Sequence, residues 1–429
     1  PYFKRMETAH GSIEPFRGKS GPLHVTHGMR ENPLHQAFVE AAVQAGYAET
    51  LDYNGYRQEG FGPADMTVYK GRRWSSANAF LKPVLDRPNL HLVLRAKAEQ
   101  ILLEGSKVVG LRFTKGGQSH QVRARKEVVL SSGAINSPLL LQASGIGDPN
   151  HLRSVGVEVR HALPGVGQNL QDHLECLLQY KCLQPVTLYK YLNLCFKAWI
   201  GARWLFTKTG VGASNQFETL GFIRSDKGVE YPDIQYHFLP VAMRYDGQSS
   251  TGGHGFQCHV GPMRSKSRGH VKLRGLKEKP EIRFNYLSHP DDKEEWRKCI
   301  RLTREILDQE AMKPYKGDEV QPGSVVRGDE AIDAFVAQHC ESAYHPCGTC
   351  KMGDVSDPMT VVDPECRVVG LEGLRVADSS IFPRITNGNL NAPSIMTGEK
   401  ASDHILGKPL LPPENLTPFE HPSWQDHQR

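Results

Sequence analysis

The chain has 429 residues, of which 39% are hydrophobic, 23% charged and 8% aromatic, a composition that buries a large core and excludes a disordered or fibrous protein. Its 52 basic and 47 acidic residues are dispersed, so the net charge of +5 comes with no dense basic tract and argues against nucleic acid as a partner. No run approaches the ~18 consecutive apolar residues of a membrane-spanning helix, while peripheral membrane association is compatible with the sequence.

The chain opens PYFKRMETAH, without an initiator Met, an apolar signal or an Arg/Ser-rich presequence, and reads as incomplete at that end. Between Leu90 and Val122 the runs HLVLRAKAEQILLEG, VVGLRF and SHQVRA are separated by Gly-Ser-Lys and Lys-Gly-Gly turns, which predicts a three-stranded antiparallel meander. The segment 126-KEVVLSSGA-134 predicts a buried strand entering a tight turn. A short helix follows, with Ser137 as N-cap, Pro138 at its first position and Gly145 as its stop. An amphipathic helix is expected over 291–312, with Trp296, Cys299, Ile300, Thr303 and Leu307 on its apolar stripe. A last helix is expected within 389–407, with Pro393 at its start, Asn391 at its mouth, Gly407 at its stop, and Ile395, Met396, Ile405 and Leu406 facing inward. From Lys408 the Pro-rich, polar tail is expected to be a surface strap or disordered.

The segment with the densest chemistry is 341-ESAYHPCGTCKMG-353. Pro346-Cys347-x-x-Cys350 and His339-Cys340-Glu341 match the two halves of a zinc-deaminase signature. Those halves must come from two facing helices, which the four-residue gap does not allow, so no metal is expected. A redox pair at Cys347 and Cys350 would need a thioredoxin-like βαβ context that the Lys-Met-Gly loop does not resemble. The nine cysteines are odd in number and irregularly spaced, and are read as mostly reduced. No G-x-S-x-G elbow is present for a serine nucleophile. His345 remains as a residue able to handle a proton.

Three segments together, 133-GAINSPLLLQASGIG-147, 164-PGVGQNLQDHLE-175 and AYHPCGTCKMG around His345, closely resemble the motifs of the flavin-dependent glucose-methanol-choline oxidoreductases, in that family's order. The resemblance runs from Pro1 to about Gly407 and is strongest to the choline-oxidising members. It implies a mixed α/β fold: a discontinuous, Rossmann-like FAD-binding domain, here truncated, and a substrate domain with an antiparallel sheet backed by helices. The boundaries it suggests are an amino-terminal remnant (1–85), FAD-binding segments (86–172 and 356–408), a substrate-binding domain (173–355) and a tail (409–429). One departure is large. No G-x-G-x-x-G occurs, since GVGQNL and GVGASN both lack the third glycine, so the loop that cradles the FAD pyrophosphate is not in this sequence.

The resemblance also assigns residues. His345 takes the place of the active-site histidine and Asn391 that of its polar partner. Glu175 matches the carboxylate that binds a trimethylammonium group, His237 a second histidine of that pocket, and Tyr344 a ring facing the cation, with Tyr236, Phe238 and Trp74 as further candidate walls. FAD would lie against Ala98, Gly133, Ala134, Asp378, Ser379, Asn391 and Pro393. The implied reaction is oxidation of choline to betaine aldehyde, with electrons passed to a quinone or other respiratory acceptor in a mitochondrial, inner-membrane-associated protein. The competing readings are an oxidase or dehydrogenase of another alcohol, and a catalytically silent member that serves as a binding module.

Overall fold

The structure is a computed structural model that describes residues 1–12, 15–244 and 247–429. Helix α1 (Pro33–Gln44) starts where the Asn32 side chain accepts the Leu34 N–H at 3.0 Å, and strand β1 (Gly60–Pro63) follows it. The meander is formed by β2 (Ala96–Glu104), β3 (Lys107–Lys115) and β4 (Gln118–Arg123), antiparallel and in sequential order. Its first strand is shorter than the apolar pattern. Residues 91–95 form no strand and Leu92, Val93 and Leu94 are exposed, having no β-partner among the described residues.

Strand β5 (Val128–Leu130) leads into helix α2 (Gly133–Ala143), which begins earlier than the sequence suggests and carries Pro138 inside it. Proline has no N–H for the carbonyl of Ala134, and the Thr349 hydroxyl donates to that carbonyl instead at 2.6 Å. The Ser137 hydroxyl is no N-cap; it donates to Asp378 at 2.6 Å.

A seven-stranded sheet dominates the rest. It contains β6 (Leu174–Cys182), β7 (Thr219–Ile223), β8 (Ile234–Leu239) and β9 (Gly255–Pro262). After helix α3 (Pro290–Leu307) comes β10 (Lys316–Gln321), then helix α4 (Asp329–His339). The strand order is β10-β6-β9-β8-β7-β1, all antiparallel, and Glu341–Ser342 pairs with the start of β6. Successive side chains point to opposite faces of a strand. Cys176, Leu178, Tyr180, Tyr236, Phe238 and Cys258 therefore share one face, packed with Leu34 and Phe38 of α1 and Trp296 and Ile300 of α3. Each Leu, Ile and Phe among them contributes about 1.5–3 kcal/mol by leaving water. All five stripe residues of α3 are buried, and Asp291 and Asp292 complement the positive end of its dipole. The alternate positions, Glu175, Gln179, Gln235, His237, Gln257 and His259, form a polar face on the other side.

Strand β11 (Leu374–Val376) runs parallel to β5, and a second core joins Leu130, Leu141, Cys347, Cys350, Val362 and Val376. All nine cysteines are unpaired. Burial pushes the Cys347 thiol up to about 12, so both loop thiols pack as apolar groups. Helix α5 (Asn391–Ile405) ends at Gly407 with φ 62°. Ile395 and Met396 pack against Met6, Leu23 and Val25, but Ile405 and Leu406 are exposed, contrary to the expected inward stripe. Asp403 takes the inward position because Arg5 (2.6 Å) and Tyr2 (3.1 Å) hold its carboxylate. The tail is a strap: Arg224 donates to the His427 carbonyl at 2.7 Å and Arg429 pairs with Glu305 at 2.6 Å.

Candidate functional site

A cavity of about 960 Å³ lies between the polar face of the large sheet, the amino-terminal segment and the start of α5. His345, Glu175, His237, Tyr344, Asn391 and Pro393 all line it. Ala98, Gly133, Ala134, Asp378 and Ser379 do not. On the far wall the buried Arg17 meets Glu7 (2.9 Å), Asp52 (2.6 Å) and Asp65 (3.0 Å).

His345 sits just after Tyr344, whose left-handed backbone (φ 61°) turns the chain toward the sheet. The His345 N–H donates to Asp172 Oδ1 at 2.8 Å, while Asp172 Oδ2 accepts from Tyr286 (2.8 Å) and Ser342 (2.5 Å). The ring is fixed at both nitrogens. Nδ1 lies 3.0 Å from Nδ1 of His173, and His173 Nε2 lies 3.2 Å from the Met263 carbonyl. A carbonyl only accepts, so His173 carries its hydrogen on Nε2; burial depresses that ring to about 3, so it is neutral and its Nδ1 accepts. His345 must therefore donate through Nδ1, which leaves its Nε2 lone pair facing the cavity. Burial also lowers the His345 pKa below the ordinary histidine value, with Glu175 opposing the shift.

The amide beside this nitrogen belongs to Asn389, whose Nδ2 donates to His345 Nε2 at 3.2 Å. Asn389 Oδ1 accepts from Gln235 Nε2 at 2.8 Å, which fixes the amide's direction. Asn391, expected as the partner of His345, is the first residue of α5 and lines the cavity without a hydrogen bond to that ring. Two residues farther along, it is carried past the imidazole by the turn into the helix.

Glu175 accepts from His259 Nδ1 at 2.9 Å. His237 stands opposite His259 across β8 and β9, and burial lowers it to about 4. Phe217 is edge-on to His259 at 5.2 Å and to His237 at 6.1 Å, making it an aromatic wall beside the carboxylate. The candidate walls chosen from sequence lie elsewhere. Tyr236 and Phe238 point to the opposite face of β8 into the core, and Trp74 donates to the Pro22 carbonyl outside the cavity. Tyr344 is at the rim, 78% exposed. His173, His259, Phe217 and Asn389 were not singled out from sequence. The alternation of polar residues in LECLLQ, IQYHFL and GFQCHV is the signal that finds the histidine of β9.

The remaining residues form a brace behind the cavity. Asp378 accepts from the Gly133 N–H (2.9 Å), Ser137 and the Ser380 N–H (2.8 Å), and Ser379 donates to the Pro346 carbonyl (3.1 Å). Gly133, at φ 80°, makes the turn into α2, and Ala134 is buried next to it. Ala98 is exposed on β2 beside a bulge.

Profiles of the GMC oxidoreductase family match residues 1–175 and 265–398. The chain belongs to the GMC oxidoreductases. It is 60% identical over 431 aligned positions to the oxygen-dependent choline dehydrogenase of Brucella ovis, covering 100% of this chain and 78% of that protein. It is 57% identical to the enzyme of the same description from Sinorhizobium medicae, covering 99% of this chain and 77% of that one. Among solved structures, pyridoxine 4-oxidase from Mesorbium loti superposes with a TM-score of 0.84 at 27% identity, over 95% of this chain and 76% of that one. Aspergillus oryzae formate oxidase, at 22% identity and a TM-score of 0.87, shares the fold.

This GMC oxidoreductase is an alcohol oxidoreductase with FAD as its cofactor. The residues present fit the flavin end of that cofactor. Helix α5 begins at the cavity with Asn391, Ala392 and Pro393, and its N-cap, Leu390, offers no side-chain hydrogen bond, so the helix's positive end faces the space. The pyrophosphate loop is not among these residues. The expected mitochondrial, inner-membrane-associated location is corrected by the relatives, which come from Brucella and Sinorhizobium, bacteria without mitochondria. Among the described residues no helix is long and apolar enough to cross a membrane.

Proposed function

We propose that this GMC oxidoreductase oxidises choline to betaine aldehyde. Bound FAD supplies the hydride acceptor. His345 Nε2 takes the hydroxyl proton, and the Asn389 amide holds the developing alkoxide beside it. Glu175 faces the trimethylammonium group, which has no N–H to donate and is recognised by a carboxylate and aromatic surface. Phe217 and His237 complete that wall, with Tyr344 at the entrance. Asn391 and the turn at Pro393, at the helix's positive end, would hold the flavin, whose reduced form carries negative charge. Gly133, Ala134, Asp378 and Ser379 brace the turns behind the cavity, and Ala98 would meet the adenine.

In this reading residues 86–172 and 356–408 form the FAD-binding part around the second core, to which Cys347 and Cys350 of the substrate part also contribute. Residues 173–355 form the substrate part, whose sheet borrows β1 from the 1–85 segment and which the 409–429 strap covers. The observation that carries the proposal is the presence, in one cavity, of an unprotonated imidazole nitrogen at His345 and a carboxylate at Glu175. The relatives' description supports choline as substrate.

Two acceptors are consistent with reoxidation: a quinone or other respiratory carrier, and oxygen, which the relatives' description names. Choline-dependent dye reduction, with oxygen uptake and aldehyde formation followed in parallel, tests substrate and acceptor together. Dye reduction with aldehyde supports the proposal; FAD-loaded protein that ignores choline and turns over another alcohol overturns it.

A further inference from the structure

The carboxylate proposed to meet the substrate's cation is hydrogen-bonded to a histidine, and a protonated histidine there would cancel its charge. A chain of amides decides the matter. Gln257 Oε1 receives the Met243 backbone N–H at 2.8 Å, and a backbone N–H only donates, so that end of the amide is its oxygen. Gln179 Nε2 donates to the same oxygen at 2.8 Å and to the Met243 carbonyl at 2.9 Å, so both ends of this relay are fixed by one residue's backbone.

The Gln257 amide nitrogen must then point the other way. It lies 2.7 Å from His259 Nε2, and since it can only donate, that ring nitrogen carries no hydrogen. The one ring hydrogen of His259 is on Nδ1, directed at Glu175 Oε1 2.9 Å away. Both His259 (6% exposed) and Gln257 (3%) are buried, so water does not easily replace either partner. The sheet sets this geometry: Gln257 and His259 are two residues apart on the polar face of β9, and Gln179 lies opposite Gln257 on β6.

We infer that Gln257 is a positioning residue that holds His259 as the neutral Nδ1–H tautomer, so that Glu175 is oriented by a hydrogen bond and keeps its negative charge for a cationic substrate. The inference rests on the proposed choline substrate. It separates two arrangements that look alike at 2.9 Å: a neutral donor on a carboxylate, and an ion pair already satisfied within the protein. Discrimination between a cationic alcohol and its uncharged isostere is the property that distinguishes them.

The test compares choline with 3,3-dimethylbutan-1-ol, which replaces the quaternary nitrogen by carbon, on the FAD-loaded protein. Steady-state constants and calorimetric Kd values are measured for wild type, Gln257→Glu and Gln257→Leu, with melting temperatures to confirm folding. A glutamate at 257 accepts from His259 Nε2, favours the imidazolium and moves the negative charge away from the cavity. The expected result is a loss of about tenfold or more in choline affinity, seen in KM and Kd, with kcat and the isostere's affinity changed by about twofold at most. Gln257→Leu, which removes the lock without adding a charge, shows a smaller loss in the same direction. A choline preference that survives both substitutions overturns the inference alone, as does an equal loss for both alcohols. A wild type that does not prefer choline to its isostere overturns the proposed substrate and this inference with it.

Discussion

Asn389 donates its side-chain amide to His345 Nε2 at 3.2 Å, while its own Oδ1 is held by Gln235. The lone pair proposed to take the substrate proton thus accepts from a neutral amide in the substrate-free protein, and the amide hydrogen turns to the substrate oxygen when the hydroxyl takes its place. Replacing Asn389 by Ala is expected to lower kcat by about 10²-fold, the scale seen when one donor to a developing oxyanion is removed. Asn391→Ala is expected to leave kcat within a few-fold and to weaken flavin retention. Steady-state kinetics and the bound-flavin absorbance separate the two; a larger kcat loss at Asn391 would reverse these roles.

The pH profile follows from the same ring. Burial lowers His345 below the ordinary histidine value, so its base form is present at neutral pH and is lost only as pH falls through that lowered value. The neighbouring His173 titrates far lower, at about 3, and stays neutral throughout. kcat/KM for choline is expected to be flat from pH 7 to 8 and to decline below pH 6.5. A decline that begins above pH 7 contradicts the burial argument.

Glu175→Gln keeps the volume and an acceptor for His259 while removing the charge. Choline kcat/KM is expected to fall about 10- to 100-fold, or 1.4–2.8 kcal/mol, chiefly through KM. Unchanged choline kinetics would place the ammonium group elsewhere.

Buried neutral histidines also set acid stability. His35 and His173 are lowered to about 4 and about 3. The unfolded chain, with histidines near 6.5, takes up protons first as pH falls, so stability is complete above 6.5 and is lost between 6.5 and these lower values. At 1.4 kcal/mol per pH unit, the stability lost is on the order of 3 kcal/mol for His35 and about 5 kcal/mol for His173. Urea midpoints measured from pH 7.5 to 4.5 should fall steadily; a flat profile would contradict the neutral, buried assignments.

How much was legible in the sequence varied with how local the signal was. The α3 stripe was readable because its period matches one helix face, and the meander because its turns are marked by glycines. The site loop was recognisable as a motif around His345. Asn389 was missed because NLNAP offers two asparagines, and only the path into α5 decides which one reaches the imidazole. His173 and His259 depend on contacts with residues 172 and 84 positions away, which no local pattern encodes. Strand alternation did carry the rest: the same period that sends Tyr236 and Phe238 to the core sends His237 to the cavity.

The most direct measurement is anaerobic mixing of the FAD-loaded protein with choline while the oxidised-flavin absorbance is followed, for wild type and His345→Ala. The proposal requires rapid bleaching of the wild-type flavin and bleaching slowed by about 10²- to 10⁴-fold in the variant. A wild-type flavin that stays oxidised in choline, or a variant that bleaches as fast as wild type, would contradict it.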